Sequence, residues 1–166
     1  MRHLIVGIAA GCLAMGGLTP AAAQQSRQSQ VAEVHARALE LQQNQGTLVA
    51  AAHLYQREAA LRGDDDPQCV KALRVAAHLL YYARHRDEAR QVMEEAGDIA
   101  LAEGDVTEAA RNFVLTAWMA QNDHRPEESR RLAHRAEMLA ASPLLATHES
   151  AAILSRVRQV NTIGLR

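Results

Sequence analysis

The sequence predicts an all-α protein built from stacked antiparallel helical hairpins. Three observations support this fold class: apolar residues recur at helical spacing, Gly and Pro fall between the periodic segments, and aromatic residues are scarce. Of the 166 residues, 48% are hydrophobic but only 3% are Phe, Trp or Tyr. Small apolar side chains with few branched or aromatic ones favour closely packed helices over strands. This length predicts a single domain.

The N-terminus has the pattern of a secretory signal peptide. Arg2 gives a basic start, residues 4–18 carry no charge, and three alanines ending at Ala23 precede a polar run. A charged start, a short apolar segment and small residues before cleavage are typical of such a leader. We expect cleavage after Ala23, so that residues 1–23 form the signal of a bacterial protein that is periplasmic or secreted. The apolar run is shorter than the roughly 20 residues of a membrane helix, and we expect no membrane insertion after cleavage.

Seven segments with helical apolar spacing follow the leader. In the third, Val70, Leu73, Ala77 and Leu80 recur three and four residues apart, which is the spacing of one helix face. The breaks between segments contain Gly, Asp or Pro, which end one helix and begin the next. The predicted helices cover residues 29–43, 47–62, 67–84, 87–102, 106–120, 127–141 and 147–160. The helical domain therefore spans residues 24–160, and residues 161–166 form a tail.

The helix midpoints recur about every 20 residues, so one hairpin takes roughly 40. A single hairpin of this size cannot bury its apolar face, whereas stacked hairpins share a continuous core. An up-down helix bundle also has short loops, and periodicity alone does not separate a bundle from a stack. The local motifs favour the stack.

Small and aromatic residues around the fourth and fifth helices resemble those of tetratricopeptide repeats. Their relative spacing follows that pattern at Gly97, Gly104, Ala109 and Phe113. The small residues let two helices approach, and the aromatic ring fills the gap between them. The segment from Ala77 to Ala96 follows the same template, although Arg84 replaces its second glycine.

The resemblance covers about residues 47–141, but its repeat frame is ambiguous. Ala89 and Ala109 lie about 20 residues apart, whereas repeats of that family recur every 34 residues. The helix that begins at Asp87 would therefore be second in one repeat and first in the next. The resemblance implies a diverged α-solenoid, in which the first helix of each pair lines a concave groove that binds peptides or protein segments.

One side of the third helix carries residue types that are enriched at protein interfaces. At about 100° per residue, five side chains cluster away from the apolar stripe: Arg74, His78, Tyr81, Tyr82 and His85. Arg and Tyr combine a large contact area with a polar group. We predict that these residues bind a protein or peptide partner. The alternative is that Tyr81 and Tyr82 pack against the first two helices.

Three further residues have structural interpretations. Trp118 lies on a helix that is apolar around most of its circumference, and we expect it in the core rather than as an exposed anchor. Cys12 ends a segment that loosely resembles a lipoprotein box, but an ordinary cleaved leader is favoured. Removal of this leader leaves Cys69 alone, which excludes an internal disulfide. A helix start favours a thiolate, yet we expect Cys69 to be structural.

Motifs of enzymatic and cofactor sites are absent from the sequence. It contains no G-x-S-x-G, no glycine-rich phosphate loop, no H-E-x-x-H and no C-x-x-C. We therefore expect a non-enzymatic protein without a cofactor; a helical hydrolase would need a nucleophile and base that the sequence does not reveal. A formal net charge of −1 without a basic face argues against nucleic-acid binding.

Histidine supplies the alternative function. Seven histidines follow the leader, and His134 and Glu137 have the spacing of a helical metal-ligand pair. One such pair arises easily by chance in a helical chain. The alternative is therefore a helical bundle that binds a metal or small ligand through histidines.

Overall fold

A computed structural model describes residues 20–163 and confirms the all-α fold class. Seven helices pack in chain order, each antiparallel to the next. They are α1 (Pro20–Leu41), α2 (Leu48–Arg62), α3 (Pro67–Tyr82), α4 (Arg86–Ala102), α5 (Val106–Asn122), α6 (Pro126–Ala140) and α7 (Thr147–Ile163), and a 3₁₀ turn (Gln45–Thr47) precedes α2. The apolar part of the predicted leader, with Cys12, and residues 164–166 of the predicted tail lie outside the described residues. None of the described helices has the length and apolar character needed to cross a membrane.

The terminal helices are longer than the sequence predicts. α1 begins at Pro20 instead of residue 29 and runs through the predicted cleavage point at Ala23. α7 continues to Ile163, three residues beyond the predicted helix end at residue 160. Both extensions consist mainly of small and polar residues, which carry no apolar periodicity.

Three successive turns share one backbone geometry. α3, α4 and α5 are each followed by a residue in the left-handed conformation: Arg84 (φ 68°), Gly104 (φ 81°) and His124 (φ 58°). After each of them, an amide donates to the carbonyl five residues earlier: His85 to Leu80 at 2.9 Å, Asp105 to Ala100 at 2.8 Å and Arg125 to Ala120 at 2.9 Å. This is the hydrogen bond of a Schellman helix ending. Because the three residues lie 20 apart, the turn repeats once per helix.

Buried residues follow the same 20-residue period through α3 to α6. Two series show it: Leu73, Met93, Phe113 and Ala133, and Leu80, Ala100, Ala120 and Ala140. In the described residues, extensive helix–helix packing joins only successive helices, together with α5 and α7. A closed four-helix bundle would also pack its first helix against its fourth. The helices therefore form an open row in which each one is packed between its sequence neighbours.

Gly97 allows α4 and α5 to approach closely. A Cβ atom at this position would lie 2.6 Å from Cε1 of Phe113, which is too close for two non-bonded carbons. Phe113 is completely buried, and the Arg135 guanidinium of α6 lies 3.9 Å from the centroid of its ring. This is cation–π distance. The prediction that the aromatic ring fills the gap between two helices is confirmed.

We expect Phe113→Ala to lower the free energy of unfolding by about 3–5 kcal/mol, since it removes a buried ring and leaves a cavity among three helices. Urea denaturation of the purified variant measures this change. Leu115→Ala, on the same helix but only half-buried, is the control and should cost clearly less. A Phe113→Ala variant as stable as the wild type would contradict this packing.

Asn112 interrupts the apolar pattern of the core. It is fully buried at the position that Ala72, Val92 and Leu132 occupy on the neighbouring helices. Neither the oxygen nor the nitrogen of its side-chain amide has a hydrogen-bond partner among the described residues. An unpaired buried amide costs about 1–3 kcal/mol on the scale of protein mutations. We therefore expect Asn112 to cost the fold stability.

We predict that replacing Asn112 with Leu or Val raises the free energy of unfolding by about 1–3 kcal/mol for the better-fitting of the two. Chemical denaturation of both variants tests this. Thr116→Val is the control. The Thr116 hydroxyl already donates to the main-chain carbonyl of Asn112 at 2.8 Å, so removing this hydroxyl should not raise the free energy of unfolding. If both Asn112 variants lose stability, the amide has a partner.

Candidate functional site

Four of the five predicted binding residues lie on α3, and His85 does not. α3 ends at Tyr82, and the left-handed Arg84 turns the chain away from the helix axis. His85 lies in the turn before α4, with its Nδ1 atom 3.7 Å from Oε2 of Glu88. The predicted continuation of the stripe through His85 is wrong, because helical spacing does not hold across a turn.

Arg74 connects α3 to α5. Its Nη1 atom forms an ion pair with Oε1 of Glu108, and both side chains are half-buried. Arg111 lies on the other side of Glu108, with its Nη1 atom 3.8 Å from Oε2. Arg74, which was predicted to contact a binding partner, is thus already paired with a carboxylate on α5.

An aromatic pair connects the same two helices nearer their C-terminal ends. The rings of Tyr81 and Trp118 have centroids 5.7 Å apart and planes inclined by 48°. The Arg86 guanidinium lies 5.5 Å from the centroid of Tyr81. The aromatic partner of the Tyr81 ring thus lies on α5 and not on the first two helices.

This end of the surface remains open to solvent. Trp118 is 40% exposed and Tyr82 is 74% exposed, so the prediction of Trp118 as a core residue is wrong. The apolar surface of α5 is wider than the part that the neighbouring helices bury. Trp118 lies at the edge of this apolar surface. We call Tyr81, Tyr82 and Trp118 the aromatic patch.

The opposite end of the α3–α5 surface is acidic. A cavity of about 350 Å³ adjoins Arg74 and Glu108, with Val70 and Ala100 as apolar lining. Five carboxylates and two cations line it; besides Arg74 and Glu108 they are Asp64, Asp65, Lys71, Glu103 and Asp105. The surface therefore has an aromatic end and an end with surplus negative charge.

His78 lies between these two ends and is half-buried. Burial lowers the pKa of its imidazole, and the positive charge of Arg74 lowers this pKa further. Both effects favour the neutral ring. His78 is therefore an uncharged part of the surface at neutral pH.

The lowered pKa of His78 predicts a pH dependence of stability. The unfolded chain binds a proton near pH 6.5, whereas the folded chain binds it only at lower pH. The free energy of unfolding should therefore fall as the pH decreases from about 6.5 through the lower folded pKa. Urea midpoints measured across this range should show a weaker fall for His78→Gln than for the wild type. His148→Gln, at an exposed position on α7, should retain the wild-type profile; an unchanged profile for His78→Gln would contradict the assignment.

The remaining histidines are dispersed over the helices. His53 and His85 both face Glu88, at 3.1 and 3.7 Å. The predicted pair of His134 and Glu137 lies 3.9 Å apart on the surface of α6. Over residues 20–163, no group of three His, Cys, Asp or Glu side chains has a geometry that could hold a metal ion.

Cys69 is buried at the start of α3. Burial raises the pKa of its thiol to about 11, and the carboxylates of Asp64 and Glu95 act in the same direction. The helix start does not favour a thiolate here, because desolvation and two negative charges oppose it. The neutral thiol packs where Ala89, Ala109 and Ser129 lie on the following helices.

Sequence reasoning missed the α5 half of the surface, namely Glu108 and Trp118. Pairs of residues separated by 34 or 37 positions meet on alternate helices: Arg74 with Glu108, Tyr81 with Trp118, Glu94 with Arg131 and Asp98 with Arg135. Oppositely charged residues at this separation are a signal in the sequence. This signal can be recognised only when the length of each helix and its turn is known.

Comparison with models of protein families, with curated proteins and with solved structures finds no significant match for this chain. The fold and its surface therefore define the class of the protein: an all-α chain of seven sequentially packed helices.

Proposed function

We propose that this protein is an exported, non-enzymatic binding module that holds a protein or peptide segment on the surface of α3 and α5. The observation that carries this proposal is the aromatic patch, which joins two helices and leaves Tyr82 and Trp118 open to solvent. Tyr, Trp and Arg dominate the energetics of protein interfaces, since they combine large area with polar groups. Arg86 beside Tyr81 adds the third of these residue types.

The helices, in this proposal, form a tetratricopeptide-like stack. The close approach at Gly97 and Phe113 and the turn repeated every 20 residues support a stack of similar units. Its hairpins would take roughly 40 residues instead of the 34 of that family, because each helix is longer. Contacts between α3 and α5 support a surface lined by alternate helices, on which peptides bind in such stacks.

The two ends of the surface specify the chemistry of the proposed partner. Arg74 and Tyr81 are seven residues apart on α3, which is about 10 Å at 1.5 Å per residue. An extended peptide covers this distance in about three residues. We therefore propose a segment with a basic side chain for the acidic cavity and, about three residues away, an apolar side chain for the aromatic patch.

The predicted leader supports a location in the bacterial envelope. The charge-free run of residues 4–18 and the small residues up to Ala23 carry this part of the proposal. We propose that the partner is another envelope protein, because both must occupy the same compartment.

Crosslinking in cells, followed by affinity capture and mass spectrometry, tests the proposed surface. We expect Tyr82→Ser to lose a partner that the wild type captures, because it removes the most exposed ring of the aromatic patch. Met138→Ser is the matched control: Met138 is 64% exposed on α6, so both changes should leave the denaturation midpoint near that of the wild type. Trp118 is the only tryptophan, and its emission should shift when the purified partner is added.

Two outcomes would contradict the proposal. The first is capture of no protein above background by the wild type. The second is a partner that survives Tyr82→Ser but is lost with Met138→Ser, which would move the binding surface to α6.

A further inference from the structure

A second cavity, of about 650 Å³, lies between the first half of α1 and the turn that joins α2 to α3. Its lining includes Arg27, Val31 and His35 on one side of α1, and Leu61 at the end of α2. Cavities of roughly 300–1,000 Å³ accommodate small organic ligands. The lining combines apolar side chains with polar groups, and the volume of the cavity is sufficient for such a ligand.

Arg27 is the available cation of this cavity. Its guanidinium has no ion pair or hydrogen bond within the part of the chain that the structure describes. The carboxylate of the lining, Asp66, already accepts from the Gln68 amide at 2.8 Å and from Arg62 at 3.1 Å. The neighbouring amides of Gln24 and Gln28 supply further donors. An anion entering the cavity therefore finds the Arg27 guanidinium, which no side chain within residues 20–163 uses.

His35 marks the other end of the cavity. Its Nδ1 atom lies 2.8 Å from Oε2 of Glu58, a carboxylate that is only 3% exposed and that also accepts from Arg62. The ring of Tyr55 packs edge-on against the imidazole at 5.9 Å. These contacts fix the orientation of the imidazole. The His35 side chain is 45% exposed, and its exposed part lines the cavity. A ring nitrogen not bonded to Glu58 remains for a ligand.

The separation of these groups determines the shape of the ligand. Arg27 and His35 are eight residues apart on α1, about 12 Å along the helix. A small inorganic anion cannot contact both ends. Val31 and Leu61 present apolar surface between them.

We propose that this cavity binds an elongated organic acid, with its carboxylate on Arg27 and its apolar chain along Val31 and Leu61 towards His35. A guanidinium matches a carboxylate through two parallel hydrogen bonds. Burial of the chain against the apolar wall supplies the remaining affinity. This site is independent of the α3–α5 surface. Removal of the predicted leader would take Pro20 and Ala23 from the lining but would retain all of its charged residues, which follow Ala23.

Titration of the purified protein with octanoate tests the site, with octylammonium as a ligand of similar length and opposite charge. Calorimetry measures the affinity, and the ring protons of His35 in NMR spectra report whether the ligand occupies the cavity. We expect octanoate to bind and to shift these protons, and octylammonium to bind at least tenfold more weakly. An acetylated apolar peptide with a free C-terminus, compared with its amide, separates a free acid from a chain terminus as the source of the carboxylate.

Arg27→Gln should weaken octanoate binding about tenfold or more, because it removes the positive charge and the paired hydrogen bonds to the carboxylate. Arg57→Gln is the matched control, because Arg57 is exposed on α2 and is not part of the cavity lining. Equal losses in the two variants, equal binding of octylammonium, or binding of neither the acid nor the peptide overturns the proposal. Each of these results leaves the test of the aromatic patch unaffected.

Discussion

The close approach of successive helices is the constraint on which the rest of this structure depends. At Gly97 the approach is so close that a single Cβ atom would collide with Phe113. Alanine takes the equivalent positions on the two flanking helices, at Ala77 and Ala117. Small residues bring helix axes together and let dispersion contacts accumulate along both helices. They leave little apolar side chain to reach beyond the nearest neighbour, so the packing follows the order of the chain.

Alternate helices meet mainly through long side chains. Arg74 reaches Glu108, and Tyr81 reaches Trp118, across the gap between α3 and α5. On the α4 and α6 side, Arg90 is buried among the carboxylates of Asp87, Asp123 and Glu128. A buried guanidinium must be paired in this way, because an unpaired charge is costly to desolvate. Tight packing between neighbours and polar or aromatic bridges between alternate helices thus account for the α3–α5 surface.

The sequence predicted the ends of the helices well where apolar residues recur regularly, and poorly where this periodicity is weak. α2 to α6 begin and end within two residues of the predicted bounds. α1 begins nine residues early, because its first turns hold polar and alanine residues that any conformation could carry. On the candidate surface, Arg74, His78, Tyr81 and Tyr82 lie on α3 as expected. The position of His85 depended on where the helix stopped, and that of Trp118 on how much of α5 its neighbours cover.

The sequence by itself determined the class, the number of helices and the positions of most turns, because helical periodicity and turn chemistry are local properties. Only the tertiary structure decided which side chains meet. Residues 34 to 37 positions apart come together through two helices and their turns, and small changes in helix length alter which residues meet. It also decided the protonation of His78 and Cys69, whose pKa values are moved by burial among helices distant in sequence. Arg27, without a partner among the described residues, and the oriented His35 likewise line one cavity because α1 lies against the end of α2, which no local pattern specifies.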